Sequence, residues 1–150
     1  MTNKLQTPPV IEELQSVPVF GYELIRDVLL PDLLGKDTPE ITYWAGKHLA
    51  RKFPLLSFDE MISFFIDASW GTLTVINERK HELQLELSGD IVTRRMQLHE
   101  EPCFRLETGF IAQQIQSQKK ALTEAFEEVQ QRHKKVLITV RWDLKDPIDK

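Results

Sequence analysis

A single cysteine, Cys103, leaves no internal disulfide and no cysteine-based zinc cluster open to this chain. That scarcity points to a reducing, cytoplasmic setting. No apolar run approaches the ~20 residues that a bilayer-spanning helix requires, and the opening MTNKLQTPPV lacks the apolar stretch of a signal peptide. Stable membrane insertion is therefore not expected. Positive charge is not in excess either: 19 Lys and Arg against 23 Asp and Glu give a net charge of −4, which argues against nucleic acid as a partner. Also missing are G-x-G-x-x-G, the P-loop, G-x-S-x-G and H-E-x-x-H, as well as any internal repeat or low-complexity tract.

What is present is a globular composition, 41% hydrophobic and 28% charged over 150 residues, with the apolar side chains spread along the chain. A chain of this length buries about 70% of the surface its unfolded form exposes, enough for one core without staples. A flexible segment over 1–18, punctuated by Pro8, Pro9 and Pro18, and a single domain over 19–150 are expected.

Periodicity places the elements. Phe20, Leu24, Val28 and Ile25 form one helical stripe, which Pro31 should end, and Gly35 should turn the connector that follows. Thr38-Pro39-Glu40 reads as a capped helix start, and the helix runs to about Phe53, before Pro54. Ser57 with Glu60 is a capping box for a second helix, closed by Gly71. Leu73 and Val75, then Leu83, Leu85 and Leu87, alternate with polar residues as a β-hairpin with Asn77-Glu78-Arg79-Lys80 between the strands. Residues 90–102 are open between a lid and a connector. Phe104, Ile111 and Ile115 mark a long helix, and by propensity that helix continues to about 131, because Leu122, Phe126 and Val129 keep its period. Val136 to Val140 with Trp142 is a strand.

Three constellations could carry chemistry. Thr42, Gly46 and Ala50 line up as a stripe of small residues, with Gly109 and Ala112 as a matching patch on another helix. A glycine inside a helix costs about 1 kcal/mol relative to alanine, so the stripe reads as a tight helix crossing or as a wall that leaves room for a ligand. Lys47, His48, Arg51 and Lys52 give that helix a basic end, which the helix dipole accounts for and which could also meet an anionic head group. His99, Glu100, Glu101 and Cys103 are the one metal-flavoured cluster, but Pro102 breaks the helical face they would share, and acidic neighbours keep the thiol inert.

The segments YELIRDVLLPDLLGKD, YWAGKHLARKFPL, SWGTLTV, EPCFRLETGFIAQQI and VLITVRWDLKDP together resemble the YslB-like family of Firmicutes, which has no assigned activity. The resemblance covers about 20–148. More distantly, it extends to the ligand-binding fold shared by haem nitric-oxide sensors, TRAPP vesicle-tethering subunits and 4-vinyl-reductase-type domains. It implies an α+β architecture, with helices packed on one face of a twisted antiparallel sheet built from two hairpins. It also implies that about 124–131 and 136–142 pair as strands around Arg132–Lys135, against the helical propensity. Some features of the relatives are missing. The loop Pro54-Leu55-Leu56-Ser57 lacks the acyl-modified cysteine of the TRAPP subunits, and the haem sensors' Tyr-x-Ser-x-Arg motif does not occur, so no cofactor, haem included, is expected.

The resulting expectation is a cytoplasmic, non-enzymatic module that binds an apolar or fatty-acid-like small molecule or a protein partner, as a homodimer. The expected ligand lining is Trp44, Phe64, Phe65, Phe104 and Ile111, with Lys47 or His48 meeting a carboxylate head. Two alternatives stand beside it: an enzyme using His48 and Arg51 as acid–base and anion clamp, and an interaction subunit with a fully packed core.

Overall fold

The structure, a computed structural model, describes residues 15–147, with side chains through Asp143. Residues 1–14 of the expected flexible segment lie outside the described residues; Gln15–Pro18 have no regular structure and are exposed. The chain divides into a compact unit that ends at Thr38 and another that begins at Pro39.

The first unit is a helix of three parts: α1 (Val19–Glu23), a π-helical stretch (Leu24–Leu29) and α2 (Leu30–Leu34). Pro31 does not end it, contrary to the sequence reading. The proline follows directly on the π stretch, where Leu30 N–H still bonds to Ile25 O. The ladder is already loosened there, and a ring and a missing donor are accommodated. Gly35 supplies the turn with φ +62. The expected cap at Thr38 is also corrected. Residues Gly35–Asp37 form a 3₁₀ turn that runs straight into α3 (Thr38–Lys52), so Thr38 has helical dihedrals. Its hydroxyl donates to Gly35 O at 2.6 Å.

In the second unit, α3 is followed by α4 (Phe58–Asp67), β1 (Thr72–Arg79), β2 (Glu82–Ser88), α5 (Asp90–Leu98), α6 (Arg105–Lys119), β3 (Ala121–Gln130) and β4 (Lys135–Pro147). Ser57 caps α4 as its spacing predicts: Oγ accepts from Glu60 N–H at 3.2 Å. The Glu60 carboxylate reaches back to Leu56 N–H at 2.8 Å. Ser57→Ala is expected to lower the unfolding free energy by about 1 kcal/mol in denaturant titrations. The helix ends at Asp67, earlier than Gly71, because Ser69 already takes a positive φ.

The four strands form one antiparallel sheet in the order β1-β2-β4-β3. Register places Leu83 opposite Val140, Leu85 opposite Ile138 and Leu87 opposite Val136, a buried apolar face. α4 lies against β1, α5 against β2, and α6 against β3 and β4. The opposite face is wet, with Arg141 Nε 2.8 Å from Glu82 and Lys135 Nζ 3.4 Å from Glu86. In the first hairpin the turn falls at Lys80-His81, later than expected, because a bulge between Val75 and Asn77 adds a residue to β1. The second hairpin is the one the family resemblance implies, with both strands longer than expected. The open segment 90–102 begins with a helix, α5.

Candidate functional site

The centre of the second unit is the crossing of α3 and α6. A Cβ on Gly46 would fall on the carbonyl oxygen of Leu106 and 2.8 Å from Phe110 N. One on Gly109 would fall on the carbonyl oxygen of Tyr43. The two helices therefore meet backbone against backbone, each through the other's glycine. Thr42 and Ala50, from the same stripe, are buried, and Thr42 Oγ1 lies 3.6 Å from Cys103 Sγ. The stripe is a helix crossing; the room a ligand would have used along it is taken by the partner helix.

Beside the crossing lies an aromatic cluster. Phe64 stacks on Phe110 at 4.6 Å between centroids, and Phe65 meets Trp70 edge-on at 5.0 Å. Trp70 in turn stands edge-on to Phe110 at 5.2 Å. Edge-to-face and offset contacts at these separations are each favourable beyond the area they bury. Of the residues expected to line a ligand, Phe65, Phe104 and Ile111 are buried and Phe64 is half-buried. Trp44 stands 58% exposed and makes no ring contact with Phe64, Phe65 or Phe104 among the described residues. Phe104 lies apart from the cluster, beneath the guanidinium of Arg95 at 4.4 Å.

Sequence reasoning missed the polar interior. Arg95, on α5, is 1% exposed, and Glu107, on α6, is 0% exposed; Nη1 and Oε2 are 3.4 Å apart. Arg95 Nη2 also donates to the Cys103 carbonyl at 2.7 Å, tying down the segment between the two helices. A signal existed: Arg95 falls on the face of Val92 and Met96, and Glu107 on that of Phe104 and Ile111. Gln114 on α6 performs a similar task for the α3–α4 linker, accepting from Leu55 N–H at 3.1 Å and donating to Phe53 O at 2.8 Å.

The outer flank of the α3–α6 crossing gathers charge. Arg105 Nη1 is 2.9 Å from Glu127 Oε1, and its guanidinium stacks on the Tyr43 ring at 4.2 Å. Tyr43 Oη accepts from Ala125 N–H at 3.3 Å, and Gln116 Oε1 accepts from Thr123 N–H at 3.2 Å. Burial pushes the Tyr43 hydroxyl above the usual phenol range, against the lowering effects of the Ala125 bond and Arg105. Lys47 lies over the Tyr43 ring at 5.0 Å and the Trp44 ring at 5.3 Å. Loss of hydration, then the neighbouring Arg51, hold its ammonium below the usual lysine range. His48 is exposed and has no hydrogen bond or ion pair among the described residues, while Arg51 Nη2 donates to Gln113 Oε1 at 3.3 Å. The carboxylate that an acid–base role of His48 requires is not among its neighbours in the described residues.

Among the described residues, no group of three or more His, Cys, Asp or Glu side chains is gathered to hold a metal ion. No helix there is long and apolar enough to cross a membrane.

Comparison with known proteins agrees with the architecture. Residues 19–141 match the family described as "Protein of unknown function (DUF2507)". The chain is 53% identical over 129 residues to the uncharacterized protein YslB of Bacillus subtilis, covering 86% of this chain and 87% of that one. A crystal structure of a vinyl-4-reductase family protein from Methanocaldococcus jannaschii superposes with a TM-score of 0.61 at 22% identity, over 89% of this chain and 86% of that one. An H-NOX protein variant from K. algicida, in its Fe(II) unliganded form, gives 0.54 at 10% identity, over 93% and 83%. At these identities the likeness establishes the fold alone, the α+β architecture the sequence resemblance implies.

Proposed function

We propose, on the premise that this chain belongs to the DUF2507 family, that it is a non-enzymatic protein-interaction module whose partner is a second copy of itself. The observation that carries this reading is the inverted amphipathicity of the helix from α1 through α2. Glu23 and Arg26 are 5% and 8% exposed, whereas Phe20 and Leu33 are 62% and 71% exposed, with Leu24, Ile25, Val28 and Leu29 between them also in water. A helix that buries Glu23 and Arg26 while it presents its apolar side chains has that face reserved for something else.

The π stretch contributes. At about 100° per residue an unbroken α-helix would spread Phe20, Leu24, Ile25, Val28, Leu29 and Leu33 over more than half its circumference. The wider π turn lags behind that rotation and draws these six onto a narrower arc, while Asp27 moves away from it. Their exposed area is on the order of 600 Å², the greater part of the ~800 Å² each partner gives to a standard interface. Gly21 lies on the same face with nothing within 4 Å of where its Cβ would stand, so a second backbone can come close. A self-complementary apolar face with no strong charge pattern suits an isologous two-fold contact. The apolar-ligand reading has less support, because Phe64 and Phe65 are engaged with Trp70 and Phe110.

Sedimentation of the full chain tests the proposal. A dimer is expected, and Leu24→Glu/Val28→Glu should weaken its dissociation constant at least about 100-fold by bringing unpaired carboxylates into the contact, with an unchanged circular dichroism spectrum. A monomeric wild-type chain, or a variant that stays dimeric, would overturn it.

A further inference from the structure

Segments 41–58 and 108–123 contain no Asp or Glu, in a chain where 23 of 150 residues are acidic. The fold sets the two side by side. Gly46 meets the backbone of Leu106 and Phe110, Arg51 bonds to Gln113, and the carbonyls of Phe53 and Leu55 accept from Gln114 and Gln118. These contacts climb both helices together, so α3 and α6 run in the same direction and their C-terminal ends emerge side by side. Arg51, Lys52, Lys119 and Lys120 are exposed at that end. The two helix dipoles offset about one unit of their charge. Glu124 on β3 acts on Lys47, one turn before Arg51, and the Glu60 carboxylate is turned back onto Leu56 N–H at 2.8 Å. A positive excess remains on this face of an acidic protein.

Apolar side chains stand among the cations. α3 buries Thr42, Gly46 and Ala50 and turns Ile41 and Trp44 outward, 42% and 58% exposed, while Leu56 in the following linker is 84% exposed. The Lys47 ammonium lies 5.3 Å from the centre of the Trp44 ring. Three apolar residues spaced by cations do not make the contiguous core of a protein interface. The headgroup layer of a bilayer, in contrast, accepts a tryptophan and a leucine singly, with lysine and arginine stems lying beside them and their charges at the phosphates.

We infer that this face docks on the surface of an anionic lipid bilayer, with Trp44 and Leu56 entering the headgroup layer and Arg51, Lys52, Lys119 and Lys120 meeting lipid phosphates. The net charge of −4 does not oppose this, because the attraction falls off within a Debye length and is set by the face that approaches. Attachment of this kind is peripheral, reversible and sensitive to salt. It requires no second copy of the chain.

Trp70 and Trp142 are each 7% exposed, so Trp44 supplies the solvent-sensitive fluorescence. The test mixes the full chain, in low salt, with phosphatidylcholine vesicles that contain about 30% phosphatidylglycerol, and separately with pure phosphatidylcholine vesicles. Co-sedimentation and a blue shift of the emission are expected with the anionic vesicles alone, both reversed as salt is raised. Arg51→Gln/Lys52→Gln should lower the partition coefficient about 20-fold, close to fivefold for each charge removed. Trp44→Ala should abolish the shift. Circular dichroism shows whether the variants are folded, and if they are not, the salt and fluorescence responses of the native chain decide. No sedimentation with the anionic vesicles, or equal sedimentation with both kinds, overturns the inference. Sedimentation without a fluorescence shift assigns the contact to another face and overturns it as well. A shift produced by poly-glutamate but not by vesicles assigns this face to an acidic protein, with the same consequence.

Discussion

Arg95→Met is expected to destabilise the protein by about 3–5 kcal/mol, a large share of the ~5–15 kcal/mol that holds a domain of this kind together. The reason is what stays behind. Glu107 keeps its 0% exposure but loses the guanidinium 3.4 Å away, and the Cys103 carbonyl loses a donor at 2.7 Å. The face of Phe104 loses the planar group lying over it as well. Replacing both charges, Arg95→Met with Glu107→Leu, should recover much of the loss, because an apolar pair of similar volume has no desolvation penalty to offset. Guanidinium chloride titrations of the two single variants and the double variant would show this as strong non-additivity. Additive losses would mean that the two side chains act separately.

Gly109→Ala is the second large effect, and its sign is what makes it informative. On helix propensity alone the change should stabilise by about 1 kcal/mol. Here the new methyl would land on the carbonyl oxygen of Tyr43, a backbone atom that cannot rotate away. The helices would have to separate along the whole crossing, so a net loss of about 3 kcal/mol is expected, the upper end of what overpacking costs. Gly46→Ala should behave alike, since its Cβ would meet Leu106 O and Phe110 N. Thermal unfolding of both variants is the check. A rise in Tm for either would mean that the crossing is looser than its geometry indicates.

The helix crossing was legible because small residues at helical spacing leave few physical uses, and Gly46 with Gly109 has one of them. Ser57 and Gly35 were legible for a similar reason: a cap and a turn are local chemistry. Residues 121–130 were not legible from pattern. β3 turns Ala121, Thr123 and Ala125 inward, small side chains beneath α6, and leaves Leu122 and Phe126 on the outside. A hydrophobic count therefore sees a helical period where the buried face consists of small residues. The Arg95–Glu107 pair was passed over for the opposite reason: its spacing places both residues on apolar helix faces, but charge is ordinarily read as surface. In the first unit, the apolar stripe was recognised, but the π turn that narrows it follows from no residue preference in the segment.

The bonds from Thr123 N–H to Gln116 and from Ala125 N–H to Tyr43 have a consequence for the protein's behaviour in concentrated solution. β3 is the last strand on its side of the sheet, and an outer strand with free amide groups is a template on which a strand of another molecule can grow. Two of its outward donors are occupied by side chains from the helices above. At the other border, the bulge in β1 breaks the regular spacing that a docking strand would need. Both margins thus resist strand-by-strand aggregation.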